Sequence, residues 1–337
     1  MCYSIIKNFL FCLDPEKAHG LTLKSLGFAE KLRLTQFLPP LIAAPREVMG
    51  LHFPNPVGLA AGLDKNGDYI NALATLGFGF LEIGTVTPRP QAGNLLPRLF
   101  RLTKQEAIIN RMGFNNKGVD YLIKQLKKTK FTGILGINIG KNHNTLLENA
   151  LEDYLYVLRR VISYASYITI NISSPNTENL RQLQQGELLQ NLLRGLKQEQ
   201  AAFFASHKKY VPLAVKISPD LTQQELTEMA KIFLAEKIDA VVATNTTIRR
   251  DGVESSSFAA ETGGLSGKPL GTPSTAIIAQ LARLLESKIP IIGCGGILTA
   301  RDAQEKIAAG ASLLQVYTGL IYHGPKLIRA ILTAIKA

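Results

Sequence analysis

The sequence predicts an α/β protein, a closed (β/α)8 barrel of the TIM type with a small N-terminal two-helix extension. Three observations predict it. After residue 50, eight short apolar segments rich in β-branched residues alternate with longer amphipathic ones. Almost every apolar segment runs into a polar or glycine-rich turn. The first forty residues lack that alternation and read as helix alone. Strands buried on both faces with helices between them are the pattern of a parallel sheet, and eight of them suffice to close it.

The elements follow in chain order. Ile5, Ile6, Phe9, Leu10 and Leu13 lie on one side of a short helix. Asp14-Pro15 then gives an N-cap followed by proline at the first helical position. Ala18, Leu21, Thr22, Ser25, Leu26, Ala29 and Leu32 recur at helical spacing along a second helix, and Pro39-Pro40 closes the pair. The chain thus divides into an extension, 1–40, and a barrel, 41–337. By pattern, the helical pair either docks on the barrel or lies in a membrane interface. The expected strands are 57–61, 80–85, 133–139, 167–172, 211–217, 239–245, 290–294 and 312–317. Helices are expected over 69–76, 118–128, 147–164, 186–205, 223–236, 274–285 and 301–309. The inserts 86–132 and 248–271 are expected as loops or small hairpins at the barrel mouth.

Composition narrows the function. The 337 residues are 46% hydrophobic and 19% charged, which excludes a disordered chain. Lys and Arg exceed Asp and Glu by 38 − 26 = +12, which points to an anionic partner. Residues 1–40 hold Lys7, Lys17, Lys24, Lys31 and Arg33 against Asp14, Glu16 and Glu30, a balance of only +2. No basic tail or aromatic-basic interleaving is present, so no nucleic-acid partner is expected. Cys2, Cys12 and Cys294 show no paired spacing, so no metal site is expected and a reducing compartment is. Neither a signal-peptide pattern nor an apolar run of spanning length is read.

Active sites of such barrels sit at the C-terminal strand ends. Those ends carry Gly62 to Asn66, Thr85, Asn138 with Lys141 beyond it, Asn171 to Thr177, Lys216, Thr244 to Thr246, Gly293 to Gly296, and Tyr317 to Gly319. Gly295-Gly296 and Thr318-Gly319, after strands seven and eight, stand where a barrel holds phosphate on backbone N–H groups; tight turns alone would be the blander reading. Asn110, Asn138, Asn171, Asn176 and Asn245 offer paired donors and acceptors suited to a planar heterocycle, whereas Asn66, Asn142 and Asn144 suit turns or caps. Lys65 and Lys216 are the cationic candidates. Lys216 sits in the apolar run LAVKI, where it would pair with an anion, polarise a ring atom or form a Schiff base. Ser174, between Ser173 and Pro175, has no GxSxG elbow around it, which removes a hydrolase nucleophile. His52 and His143 have no carboxylate at a readable spacing.

Several blocks then carry a resemblance: GLAAGLDK at 58–65, EIGTVTPRP at 82–90, PRLFR at 97–101, INRMGFNN at 109–116, GINIGK at 136–141, NISSPNT at 171–177, ATNTT at 243–247, GGLSG at 263–267 and IIGCGGI at 291–297. In this order, and over essentially the whole chain, they resemble dihydroorotate dehydrogenase. Serine at position 174, where class 1 enzymes carry cysteine, and the helical extension resemble the class 2, quinone-linked branch.

The resemblance implies oxidation of (S)-dihydroorotate to orotate in pyrimidine biosynthesis, with one FMN per subunit and a membrane quinone as electron acceptor. Ala61, Gly62, Leu63, Asp64, Lys65, Thr85, Asn138, Asn171, Lys216, Thr244, Gly267, Gly296, Tyr317 and Thr318 would form the FMN site. Cys294 and Thr318 are mild variations of the phosphate segment. The substrate would meet Lys65, the run Asn110, Arg111, Met112, Gly113 and Phe114, then Asn171, Asn176, Asn245 and Thr246. Ser174 would be the catalytic base, relayed through Thr177, with Lys216 balancing charge on the flavin and 178–186 acting as a lid. His19, Arg101 and Tyr317 would line a quinone path between the two helices. The implied location is peripheral, on the cytoplasmic face of the inner membrane.

Overall fold

A computed structural model describes residues 2–38 and 41–336, so the expected Pro39-Pro40 boundary lies outside the described residues. The chain opens with α1 (Cys2–Phe11) and α2 (Pro15–Lys31). The cap between them forms as the sequence predicts: the Asp14 carboxylate accepts from the N–H groups of Glu16 at 3.1 Å and Lys17 at 3.0 Å, with Pro15 starting the helix. A hairpin of β1 (Arg46–Val48) and β2 (Leu51–Phe53) follows. The sequence reading did not include it. It also gives His52 a carboxylate, since Glu47 lies opposite it at 3.8 Å.

The barrel then unfolds in order as β3 (Val57–Leu59), α3 (Ile70–Ala74), β4 (Phe80–Val86), an insert with β5 (Leu99–Leu102) and β6 (Ala107–Asn110), and α4 (Val119–Leu126). Next come β7 (Ile134–Ile139), α5 (Ala150–Val161), β8 (Tyr167–Asn171), α6 (Gly186–His207), β9 (Leu213–Ile217) and α7 (Gln223–Ala235). The last part holds β10 (Ala240–Ala243), an insert with β11 (Gly264–Gly267), α8 (Gly271–Leu284), β12 (Ile291–Cys294), α9 (Ala300–Ala308), β13 (Ala311–Val316), α10 (Thr318–His323) and α11 (Lys326–Lys336). β3, β4, β7, β8, β9, β10, β12 and β13 close into an eight-stranded barrel in which every neighbouring pair is parallel.

Side chains fill the barrel in two zones. At the N-terminal end Phe53 of the hairpin packs edge-on to Phe80, with ring centres 5.1 Å apart, beside Tyr167, Ala214 and Leu313. The hairpin therefore plugs the bottom of the barrel with apolar surface. Above it the filling turns polar: fully buried Glu82 accepts hydrogen bonds from Tyr167 OH at 2.9 Å, Thr169 Oγ1 at 2.9 Å, Gln315 Nε2 at 2.7 Å and Asn138 Nδ2 at 2.8 Å. A carboxylate in a dry interior persists only when its lone pairs are met, and here four donors meet them.

The two inserts combine at the mouth. β5, β6 and β11 form a three-stranded antiparallel sheet, in which Leu265 faces Ile109 across 156 residues of chain. The helical pair rests beside it. Tyr3 OH donates to the carbonyls of Leu320 at 3.1 Å and Ile321 at 2.7 Å, and Phe11 packs edge-on to Tyr322. The apolar stripe read along α2 splits between two sides. Ala18 is buried and Leu26 and Ala29 are half-buried, while Leu21, Thr22, Ser25 and Leu32 are exposed; outside the stripe, Leu23 is buried and Phe28 exposed. With Ile5 at 72% and Phe9 at 63% exposure on α1, the pair presents a broad apolar surface to solvent. No helix among the described residues is long and apolar enough to cross a membrane.

Candidate active site

The C-terminal strand ends open into one cleft, lined by residues from the barrel strands, both inserts and α2. Its floor is built from Glu82 upward. Asn138 uses its amide N–H on Glu82, which leaves its Oδ1 as acceptor for Thr85 Oγ1 at 2.5 Å and Asn171 Nδ2 at 3.1 Å. Asn171 Oδ1 accepts in turn from Asn245 Nδ2 at 3.3 Å and Ser173 Oγ at 3.3 Å. One buried carboxylate thus fixes the orientation of every amide in the chain Asn138, Asn171, Asn245. Asn138 serves from below, outside the lining; Thr85, Asn171 and Asn245 line the cleft.

A second amide pair stands on the insert side. Asn176 Nδ2 donates to Asn110 Oδ1 at 3.1 Å, and the buried Asn176 Oδ1 has no partner among the described residues. Met112, Gly113, Phe114 and Thr246 complete that wall. Arg111, from the same run, turns outward to Glu261 at 2.6 Å and over the Phe100 ring. Its backbone N–H is also committed, to the carbonyl of Arg98 at 2.9 Å, so Arg111 stays outside the cleft lining while its neighbours Asn110 and Met112 belong to it.

Ser174 is buried on this side, its Oγ accepting from the N–H of Asn176 at 3.2 Å. The Thr177 hydroxyl, three residues on, is buried with no partner among the described residues. Arg181, missed by the sequence reading, holds this loop down. It donates to Ser173 O at 3.2 Å and Thr246 O at 3.0 Å and pairs with Asp220 at 2.8 Å. Residues 178–186 are accordingly no free loop: Leu180, Leu183 and Gln184 are buried in a short helical turn.

The opposite side is backbone-rich. Gly295 and Gly296 have φ of +108° and +69°, and a Cβ on Gly296 would fall 2.1 Å from the Gly271 Cα, so only glycine fits there. Their N–H groups donate to no backbone oxygen among the described residues. Gly267, Tyr317, Thr318 and Gly319 continue the cradle, with Thr318 Oγ1 donating to Ser266 Oγ at 2.9 Å. Lys216 reaches the cleft from β9, is 6% exposed, and has no hydrogen-bond acceptor or acidic partner among the described residues. An ammonium so buried calls for an anionic or electron-rich group in front of it.

Ala61, Gly62 and Lys65 line the third side with two residues of α2, Glu16 and His19. Burial, opposed by Glu16, lowers Lys65 to about 8. Burial and then the Lys65 charge lower His19 to about 4, so its imidazole is neutral at pH 7. Glu16, also missed from sequence, pairs with Arg98 at 2.7 Å. Leu63 is buried behind the lining, and the Asp64 carboxylate accepts from the N–H groups of Asn66, Asp68 and Tyr69, shaping the loop that presents Lys65. Arg101 lies away from the cleft: it donates to the carbonyls of Leu10, Phe11 and Leu13 and stacks over the Phe11 ring. Of the three residues expected along the quinone path, His19 and Tyr317 reach the cleft and Arg101 ties down the end of α1.

Comparison with known proteins agrees with this geometry. The family model described as dihydroorotate dehydrogenase matches residues 44–337. The chain is 56% identical over 336 residues to dihydroorotate dehydrogenase (quinone) of Cellvibrio japonicus, covering 99% of this chain and 98% of that one. It is 57% identical over 333 residues to dihydroorotate dehydrogenase (quinone) of Nitrosomonas eutropha, covering 98% and 96%. The crystal structure of Eimeria tenella DHODH in complex with ferulenol superposes with a TM-score of 0.86 at 38% identity, over 96% of this chain and 90% of that one. A barrel mouth walled by amides, a serine on the loop after β8 and a helical pair over the opening, in a chain matched end to end by these relatives, place it in the dihydroorotate dehydrogenase family, in the quinone-linked class 2 branch.

Proposed function

We propose that this protein oxidises dihydroorotate to orotate with FMN as its cofactor and a membrane quinone as electron acceptor. One observation carries the reading beyond family membership: a buried lysine and glycine N–H groups, all without an acceptor among the described residues, face one cleft together with a wall of oriented amides. These residues fit FMN. Gly295, Gly296 and Thr318 would hold the phosphate, and Lys216 would balance charge on the ring system. Ala61, Gly62, Lys65, Thr85, Asn171, Thr244, Gly267 and Tyr317 would form the remaining contacts, with Leu63, Asp64 and Asn138 supporting them from behind. FMN, when bound, supplies an acceptor for the hydride from substrate C6 and a route for the electrons to quinone.

The chain's own residues do the rest. The substrate ring is held edge-on by Asn110, Asn171, Asn176, Asn245 and Thr246, whose amides need no reorganisation because Glu82 has already oriented one set of them. Asn176 Oδ1, buried and unpaired, awaits a ring N–H. The substrate carboxylate pairs with Lys65 and with backbone N–H groups of the run 110–114. Ser174 takes the proton from C5. Its oxygen already accepts one hydrogen bond, from the N–H of Asn176, so its own proton is free to leave as the C5 proton arrives. The Thr177 hydroxyl, without a partner among the described residues, would take that proton while passing its own on to water, so that the relay ends in solvent.

The exposed apolar surface of α1 and α2 supports a peripheral seat on the cytoplasmic face of the inner membrane, with residues 1–40 acting as one docking unit on the barrel 41–337. Quinone would enter beside α2, past His19 and Tyr317, with Arg101 holding α1 in place. Absorbance spectra test the whole reading. The purified protein is expected to show flavin bands that bleach with dihydroorotate and return with added quinone. A colourless protein, or bands indifferent to dihydroorotate, would overturn it.

A further inference from the structure

Lys306 on α9 is fully buried, yet it belongs to no part of the cleft lining. Its ammonium donates to Ser274 Oγ at 3.0 Å, Thr275 Oγ1 at 3.1 Å and Gly271 O at 3.4 Å, all neutral acceptors. No carboxylate forms an ion pair with it among the described residues. The two acids nearest it along α9 are engaged elsewhere: Asp302 caps the helix on the N–H groups of Leu298 and Thr299, and Glu305 pairs with Arg301 at 3.0 Å. A cation buried this deeply without an anion is costly, and burial lowers it to about 8.

What the three partners hold explains the placement. Gly271 starts the fourteen-residue helix α8 and lies against Gly296, whose Cβ, if present, would collide with it. Ser274 Oγ donates to the carbonyl of Cys294 at 2.7 Å, the residue that opens the Gly295-Gly296 turn. Lys306 therefore grips both halves of the glycine cradle from behind, and its charge stands on the far side of that cradle from the cleft.

We propose that Lys306 is a positioning residue for the cradle of Gly295, Gly296 and the start of α8, lending it the positive charge that selects a dianionic phosphate ester. This rests on the FMN reading above. The missing counter-ion is the ligand's phosphate, reached through the aligned N–H groups rather than by contact.

The test compares FMN with riboflavin, the same ring system without phosphate, binding to apoprotein and followed by flavin fluorescence. Lys306→Met is expected to weaken FMN about tenfold or more and leave riboflavin unchanged. The apoprotein's melting temperature should hold or rise, because an apolar chain replaces a buried charge. Equal loss of both flavins, unchanged FMN affinity, or a fall of several degrees in the apoprotein's melting temperature would overturn the proposal. Should Lys306→Met fail to fold, Ser274→Ala, which cuts the link to Cys294, must lower the FMN-to-riboflavin preference; an unchanged preference would also overturn it. Failure of the unaltered protein to bind FMN would instead sink the functional reading.

Discussion

Ser174, the proposed base, shows how little of such a role would reside in a residue type. In water its hydroxyl is no base; in this loop it is buried and fixed by the N–H of Asn176, with the Thr177 hydroxyl three residues on lacking a partner among the described residues. Ser174→Ala is expected to slow reduction of bound flavin by dihydroorotate by about 10²–10⁴-fold, with FMN content unchanged, as read in a stopped-flow experiment. Lys65 sets a pH limit. Burial brings it down to about 8, so the charge proposed to hold the substrate carboxylate is present below that pH and lost above it. Hence kcat/KM for dihydroorotate should fall as pH rises through about 8, and Lys65→Arg should move the fall upward. His19 works on stability in the other direction. Its folded value near 4 lies below the ordinary 6.5, so between these pH values the unfolded chain binds more protons and stability drops as pH falls. The loss should reach on the order of 3 kcal/mol below pH 4, and His19→Gln should flatten it in thermal melts.

At the scale of elements, the helical pair and the insert sheet carry separable predictions. Phe9 and Phe28 are 63% and 64% exposed on the outward side of α1 and α2. Phe9→Asp with Phe28→Asp is expected to weaken binding to lipid vesicles by about 100-fold or more, while flavin reduction by dihydroorotate is unchanged. Flotation assays and the absorbance bleach read the two halves independently. In the sheet, Gly267 has φ of +97°, and a Cβ there would meet the Glu106 carbonyl at 2.3 Å. Gly267→Ala should cost about 1–3 kcal/mol in stability and weaken FMN retention, measured by melting and by flavin release. Elements with strong periodicity were legible: all eight barrel strands are read from sequence, because parallel strands buried on both faces leave unbroken apolar runs. The hairpin β1–β2 and the strand β11 were not. The first is three residues a side, and the second is GLSG, whose strand pairing comes from β6 and not from its own propensity. The C-terminal helix α11 buries Leu327, Ile328, Ile331 and Leu332 in helical spacing, a signal present in the sequence and passed over.

For the whole molecule, legibility follows the separation in the chain of the residues that meet. Most of the cleft lining was legible because each polar strand end points to one mouth. Residues that work by partnering were harder: Arg101 and Arg111 carry motif positions yet turn away from the cleft, while Glu16, Glu82 and Arg181 shape it through contacts across the chain. Such pairings cross 56 to 82 residues for Asn138–Glu82 and Arg98–Glu16, which no local window reports. The longest of these ties is Tyr3 to the carbonyls of Leu320 and Ile321, spanning almost the full chain. A ribosome adding about 5–20 residues per second leaves α1 without its docking partner for roughly 15–60 s. Throughout that interval Ile5, Ile6 and Phe9 are synthesised and wait for the residues α1 docks on. The nascent chain therefore carries a sticky helix long before the barrel exists to receive it, and whatever meets that helix first, chaperone or lipid, does so while the barrel is still being made.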